Sequence, residues 1–264
     1  MHAPVLVDEV IEYLALRSGG IYLDATAGLG GHTAAIARRV TEGMVIANDW
    51  DGESLDIARR NTAEWASRIR YVQGTFSGLS STLPVLGLAQ VDGLVADLGV
   101  SRYQLTDAGR GFSLMARGPL DMRMDRSQGV PAADIVNHYA EKALADLIYQ
   151  LGEERRARRI ARAIVRARPI RGTLHLARVI EEAVPRTGRL HPATLTFMAL
   201  RIAVNREREE LEALLESGPG LVAAGGRMVV ITFMSTEDRA VKQGFQRLAR
   251  EGRAQILTKH VVKP

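Results

Sequence analysis

The sequence predicts an α/β fold: a Rossmann-like, doubly wound parallel sheet with an inserted all-helical domain. Three observations predict it. Short apolar runs alternate with helix-patterned segments, the order that builds a parallel sheet covered on both faces. The first of these runs leads into a glycine-rich turn, Asp24-Ala25-Thr26-Ala27-Gly28-Leu29-Gly30-Gly31-His32-Thr33, which opens a helix. A stretch from 106 to 195 then shows much helix patterning and little strand character.

From the start, residues from His2 read as an extended piece and Asp8–Leu14 as a short helix. Gly20-Ile21-Tyr22-Leu23 is the first strand, and Ala34–Arg39 the helix after the glycine turn. Met44-Val45-Ile46-Ala47-Asn48 is the second strand and ends at Asp49. Asp51–Ala66 has helical spacing, with Leu55 and Ala58 on its apolar side. Ile69–Val72 and Val91–Ala96 are the third and fourth strands, ending near Phe76 and at Asp97. After the helical stretch, Pro192 suits the first turn of a long helix running towards Leu215. Gly225-Gly226 leads into a fifth strand, Arg227–Phe233. A helix from Thr236 and a last strand, Ala254–Leu257, follow.

Ligands of such sheets sit beyond the carboxyl ends of the strands, where Asp24, Asp49, Phe76 and Asp97 all fall. The dinucleotide fingerprint wants a third glycine where Thr33 stands, and no Lys-Ser/Thr pair follows as in a P-loop. Asp49 lies about 20 residues past the glycines, the spacing of a carboxylate that grips ribose hydroxyls. The expected ligand therefore carries a ribose without a pyrophosphate. S-adenosylmethionine (SAM), an adenosine with an amino-acid tail, fits.

The totals narrow the class. The 264 residues hold one large domain or two modest ones, with 46% hydrophobic and 25% charged residues, an ordinary globular balance. With no cysteine there is no disulfide, thiolate zinc site or cysteine nucleophile, which suits the cytoplasm. The six histidines show no metal-ligand spacing, so no metal is expected. No apolar run reaches the roughly 18 residues of a membrane span, and the start lacks a signal-peptide pattern.

The net charge of +5 hints at a polyanionic partner, and its distribution says more. Residues 106–195 hold 16 Lys/Arg against 10 Asp/Glu, and the rest of the chain 19 against 20. Within Glu153–Arg168, a helical spacing puts Arg155, Arg159, Arg162 and Arg166 on one narrow stripe. Ile160, Ala161, Ile164 and Val165 fall on the other side. Such a stripe can follow a phosphate backbone; a solvated face partly paired with Glu153 and Glu154 is the plainer reading.

Further motifs extend over almost the whole chain. They include His2-Ala3-Pro4-Val5-Leu6, Arg110-Gly111-Phe112-Ser113, Gly152-Glu153-Glu154-Arg155, His191-Pro192-Ala193-Thr194, Ala199–Asn205 and Glu237-Asp238-Arg239. The most specific is Gly118-Pro119-Leu120-Asp121-Met122-Arg123-Met124-Asp125. With Asp24–His32, Val91–Val100 and Gln104, these segments resemble the bacterial small-subunit (16S) rRNA cytosine-N4 methyltransferases. The resemblance implies a Rossmann-like SAM-dependent methyltransferase sheet with a helical insertion. It implies methylation of a cytosine N4 in the decoding region of 16S rRNA, with the small ribosomal subunit as partner. Cofactor contacts carry over to Gly30, Gly31, His32, Asp49, Phe76, Asp97 and Gln104. The domain reading is 1–105 and 196–264 for SAM binding, and 106–195 for an inserted helical substrate-recognition domain. Oligomeric state stays open, with a dimer as one option.

For the chemistry, an acceptor on the cytosine amine would push electron density back onto the nucleophilic nitrogen. Asp97 is the first candidate for that carboxylate, and Asp121 and Asp125 are weaker ones because Arg123 stands ready to pair with them. His32 reads as a cofactor contact or packing group before a base. Phe112 and Tyr103 suit stacking on a flipped base or plain packing equally. An alternative function is a catalytically weakened SAM- and RNA-binding relative, since Leu195, Met198 and Met234 depart from the usual family residues. A nicotinamide oxidoreductase is disfavoured by Thr33.

Overall fold

The computed structural model describes residues 4–186, 188–258 and 260–263. The first two residues of the opening motif, His2 and Ala3, lie outside them. The chain forms two compact units, residues 1–99 with 208–264 and residues 100–207.

The first unit is built on five parallel strands: β1 Ile21–Asp24, β2 Met44–Asp49, β3 Ile69–Gln73, β4 Val91–Asp97 and β5 Val222–Ile231. They lie in the order β3-β2-β1-β4-β5. The helices of this unit are α1 Val7–Leu14, α2 Gly31–Arg39, α3 Gly52–Asn61 and α4 Leu79–Val85 before the second unit. Strand side chains alternate between faces, and two cores follow. Tyr22, Val45, Val95 and Ile231 pack with Val10 and Leu14 of α1, Ile36 of α2 and Leu55 of α3. Their neighbours Leu23, Ile46, Leu94 and Ala96 pack on the other face, with Leu79 and Leu83 of α4.

The second unit holds α5 Arg102–Thr106, α6 Ala132–His138, α7 Glu141–Gly152, α8 Ala157–Ala167, α9 Thr173–Ala183 and α10 Thr194–Val204. No strand occurs among its described residues. Leu144 and Ile148 of α7, Ile160 and Ile164 of α8, Leu176 and Ile180 of α9 and Phe197 and Leu200 of α10 share one core. The remaining helices are α11 Glu207–Leu221 and α12 Ser235–Arg250. Leu211, Leu214 and Leu215 of α11 and Val241 of α12 complete the second face of the sheet.

Five expectations need correction. The helix expected over Asp51–Ala66 ends at Asn61, and a separate 3-10 helix, Ala63–Arg68, follows; between them the buried Thr62 hydroxyl donates back to Ala58 O at 2.7 Å. The long helix from Pro192 is two helices, α10 and α11. Asn205 separates them: its side chain turns inwards to accept from Met124 N at 2.7 Å and donate to Met122 O at 2.7 Å, and Arg206 takes φ +47°. The helix expected over Glu153–Arg168 starts only at Ala157. Glu153, at φ +52°, ends α7, and the buried Glu154 carboxylate takes the Arg156 guanidinium at 3.0 and 3.1 Å, forming the turn between. The fifth strand begins at Val222, so Gly225-Gly226 lies inside it. There the register with β4 shifts between Val91 and Gly93, and a side chain on Gly226 would meet the Asp92 carbonyl at 2.7 Å. Ala254–Leu257 is not a strand. Residues 254–257 are all exposed and pair with no strand of the sheet, so neither Ile256 nor Leu257 gains the cover that the strands above have on both faces.

Candidate active site

Parallel pairing brings the ends of β1, β2 and β4 to one edge, and with them Asp24, Asp49 and Asp97. Asp24 is fully buried. It accepts from Thr26 N at 3.2 Å and Thr33 Oγ1 at 2.6 Å, which ties the first turn of α2 to β1. Thr33 thus replaces the packing glycine of a dinucleotide corner with a hydroxyl aimed at a carboxylate. Burial raises the Asp24 pKa despite the opposing pull of His32 and Thr33.

Asp49 accepts from Gly28 N at 2.7 Å through Oδ2 and from Asp51 N at 2.8 Å through Oδ1. Asp51 in turn caps α3 by accepting from Glu53 N and Ser54 N. Burial pushes the Asp49 carboxyl up to about 7, although both backbone amides pull it down. Each oxygen retains acceptor capacity. Asn48 donates to Ala25 O and Gly74 O, both at 3.1 Å, and so ties the loops after β1 and β3 to β2.

The glycines divide the work. Gly30 sits at φ +90°, and a Cβ there would meet Thr62 Cγ2 at 2.8 Å; a Cβ on Gly31 would meet Pro4 at 2.8 Å. Both let protein segments approach each other. Over Gly28 the nearest atom to a Cβ would be Thr26 O at 3.9 Å, so the open surface of the turn is at Gly28. Sequence reasoning did not single out Gly28 among the site residues.

Asp97 donates its backbone N–H to Thr26 Oγ1 at 2.6 Å. Its Oδ2 lies 3.5 Å from Nε2 of the buried His32, whereas its Oδ1 is buried and accepts no hydrogen bond among the described residues. Burial pulls the His32 pKa down, but Asp97 beside it and the charge of Asp24 outweigh this and the net shift is upward. The structure therefore brings Gly30, Gly31, His32, Asp49 and Asp97 to one corner. Phe76 follows β3 at the same edge, half-buried against the core that includes Leu79.

The remaining residues lie in the second unit. Gln104 is buried in a capping box at the start of α5, its Oε1 accepting from Ser101 N at 2.8 Å. Asp121 is held by Arg123, at 2.7 Å from Nε and 3.1 Å from Nη2, and by Arg126 Nε at 3.3 Å. Burial pushes its pKa up, but the hydrogen bonds and charge of Arg123 prevail and hold it below the usual carboxylate range. Around it, Met122 N donates to Arg110 O, Arg110 Nη2 donates to the carbonyls of Arg123 and Met124, and Asn205 bridges Met122 and Met124. Gly118 is bound to the start of α9, donating to Thr173 Oγ1 at 2.9 Å. The most specific motif of the sequence is thus a clasp. Phe112 is buried in the core of this unit beneath the Arg110 guanidinium, so it cannot stack on a base.

On α8, Ile160, Ala161 and Ile164 are fully buried and Arg158, Arg159, Arg162 and Arg166 are exposed. Arg155 is also exposed but sits in the turn before the helix. Arg162 pairs with Glu141 at 3.3 Å; no carboxylate among the described residues pairs with Arg155, Arg158, Arg159 or Arg166.

A family model described as the MraW methylase family matches residues 1–260. The chain belongs to the MraW methylase family. It is 65% identical over 264 residues to a ribosomal RNA small subunit methyltransferase H from Solibacter usitatus (strain Ellin6076), covering all of this chain and 92% of that protein. It is 48% identical over 274 residues to the protein of that name from Koribacter versatilis (strain Ellin345), covering 99% of this chain and 86% of the relative.

A methylase of the MraW family takes its methyl group from S-adenosylmethionine, and the corner fits that donor. Asp49 keeps two lone-pair positions for vicinal ribose hydroxyls, while no lysine or arginine stands among residues 24–33 to meet a phosphate. Asp97 Oδ1 is a buried acceptor suited to an amine. No group of His, Asp and Glu residues among the described ones could hold a metal ion, and no described helix is long and apolar enough to cross a membrane.

Proposed function

We propose that this MraW-family chain methylates N4 of a cytosine in the decoding region of small-subunit (16S) ribosomal RNA, with S-adenosylmethionine as donor and in the cytoplasm. The buried, unpartnered Oδ1 of Asp97, at the same strand edge as the ribose-type acid Asp49, carries the reading. The relatives named ribosomal RNA small subunit methyltransferase H support the RNA class.

S-adenosylmethionine, when bound, would supply a methyl group on a sulfonium sulfur for in-line displacement. The nitrogen–carbon bond forms as the sulfur–carbon bond breaks, the sulfur leaves as a neutral thioether, and one proton passes from the amine nitrogen to Asp97. Asp49 and the Gly28 turn bind the ribose, and Gly30, Gly31 and Phe76 shape the walls of that corner. Asp97 accepts a hydrogen bond from the exocyclic amine, which raises the electron density on nitrogen and aligns its lone pair; positioning of this kind supplies much of a displacement's rate. His32 holds the other oxygen of Asp97 in place. Gln104 and Asp121 brace the second unit, the substrate-recognition part of the reading. Arg155, Arg159, Arg162 and Arg166 meet RNA phosphates, and the exposed Arg158 supports them.

The test is incubation of the protein with tritiated S-adenosylmethionine and small ribosomal subunits that lack the modification, followed by nucleoside analysis. Label in N4-methylcytidine from the decoding region is the expected result. Label in another nucleoside overturns the cytosine-N4 assignment. Donor binding without transfer to any RNA tested favours the weakened-relative alternative.

A further inference from the structure

Phe233 is an aromatic ring left in water at the reactive edge of the sheet. It is 59% exposed, and it is the only exposed aromatic side chain among the described residues of the first unit. Its place follows from strand pairing. Asp97 pairs with Ile231 across β4 and β5, and Leu98 N donates to Ile231 O at 3.0 Å. The chains continue side by side, so that Gly99 (φ +106°) comes against the ring. A Cβ on Gly99 would lie 3.7 Å from Phe233 Cδ2, ordinary contact distance.

The backbone that carries this ring is fixed. Glu237, in the first turn of α12, accepts from Phe233 N at 3.1 Å and Met234 N at 3.2 Å through one oxygen. A large apolar side chain is thus held outwards on a braced turn, two residues beyond the end of β5 and beside the strand that ends in Asp97. Unpaired bases are commonly held by their faces on aromatic rings while their edges are read by polar groups. Of the two aromatics that the sequence offers for this role, Phe112 is occupied in the core of the second unit and Tyr103 is half-buried on α5 of that unit.

We infer that Phe233 is the stacking platform for the acceptor base, holding the pyrimidine ring by its face while Asp97 Oδ1 receives the exocyclic amine. The inference rests on the cytosine methylation proposed above and adds the residue that positions the base. The ring's work is in presenting the substrate, so donor binding is independent of it.

Phe233→Leu, Phe233→Tyr and Phe233→Trp are compared with the wild type in three measurements. These are steady-state methylation of unmodified small subunits, calorimetric donor affinity, and fluorescence of an RNA carrying pyrrolocytosine at the target position. Stacking on an aromatic side chain is worth about 10- to 100-fold in binding. Phe233→Leu is therefore expected to lower kcat/KM by about 10- to 100-fold, mainly through KM, with donor affinity unchanged. The wild type quenches the analogue and Phe233→Leu does not, while Tyr and Trp restore both readouts. Full activity and quenching in Phe233→Leu overturns the inference. So does a parallel loss of donor binding, which makes the ring a structural element, or failure of Tyr and Trp to restore function. If the wild type methylates no cytosine yet quenches the analogue through Phe233, the reaction assignment fails and the stacking role stands.

Discussion

The two carboxylate clusters of the molecule, which look alike in the sequence, are finished to different degrees. At the sheet edge, Asp97 Oδ1 and His32 Nδ1 are buried without a hydrogen bond among the described residues, while His32 Nε2 faces Asp97 Oδ2 at 3.5 Å. In the clasp of the second unit, both oxygens of Asp121 take guanidinium donors, and the Asn205 amide bonds on both sides. A buried polar group without a partner costs about 1–3 kcal/mol. The protein carries that cost at Asp97, whereas Asp121 and Asn205 of the clasp have their partners within it. On the function proposed above a ligand completes the edge, whereas the clasp holds itself.

The comparison can be broken most sharply at Asp97. Asp97→Asn is expected to lower kcat by about 10²–10⁴-fold, the range for removal of a positioned acid–base group, with the thermal midpoint preserved. Single-turnover methylation and differential scanning fluorimetry check both. Asp121→Asn is expected to do the reverse. Loss of the carboxylate removes the negative charge that faces Arg123 and Arg126, and urea unfolding should show about 2–3 kcal/mol lost, less than for a deeply buried pair because both arginines reach solvent. A stable Asp121→Asn variant without activity would move that carboxylate from the clasp to the chemistry.

Asp49 sharpens the edge itself. Asp49→Asn should weaken donor binding by about 10- to 100-fold, since hydrogen bonds to a charged group are worth about 1.5–3 kcal/mol. The folded carboxyl titrates at about 7, above its unfolded value of about 3.9. The folded state therefore binds the proton more tightly, and this group's contribution to the stability of the free protein falls as pH rises from about 4 through 7. Ribose hydroxyls bond best to the ionised form, so donor affinity should rise over the upper part of that window. Calorimetry at pH 6 and 8 should show the rise in the wild type and a flat response in Asp49→Asn.

The smallest effect belongs to the arginines. Changing Arg155, Arg159, Arg162 and Arg166 to Gln should lower the slope of log affinity for RNA against log salt by about 3, with donor affinity unchanged. Filter binding at several salt concentrations reads it. An unchanged slope would return these residues to a solvated helix face.

Much of the edge was legible because it is local. Apolar runs ending in Asp24, Asp49 and Asp97 mark the strand ends directly, and the acid spacing already pointed to a ribose. What was not legible depends on contacts far apart in the chain. The bond from Asn205 to Met122 and Met124 stops a helix whose own periodicity continues. Val91 pairs with Val222 before the bulge, so glycines that look like a turn lie inside β5. Thr33 reads as a missing glycine until its hydroxyl is seen on Asp24. Asp121 and Asp97 carry the same chemistry on paper, and only their neighbours separate them.

The division of the first unit into residues 1–99 and 208–264 sets an order of events during synthesis. Domains fold as units while the chain emerges from its N-terminus, and residues 100–207 are contiguous, so they can finish first. Strand β4 must wait, with its outer hydrogen-bonding groups bare, until residues 222–231 arrive to cover them. A nascent chain stalled before that point would present an open β4 edge to proteases and to other unfinished copies.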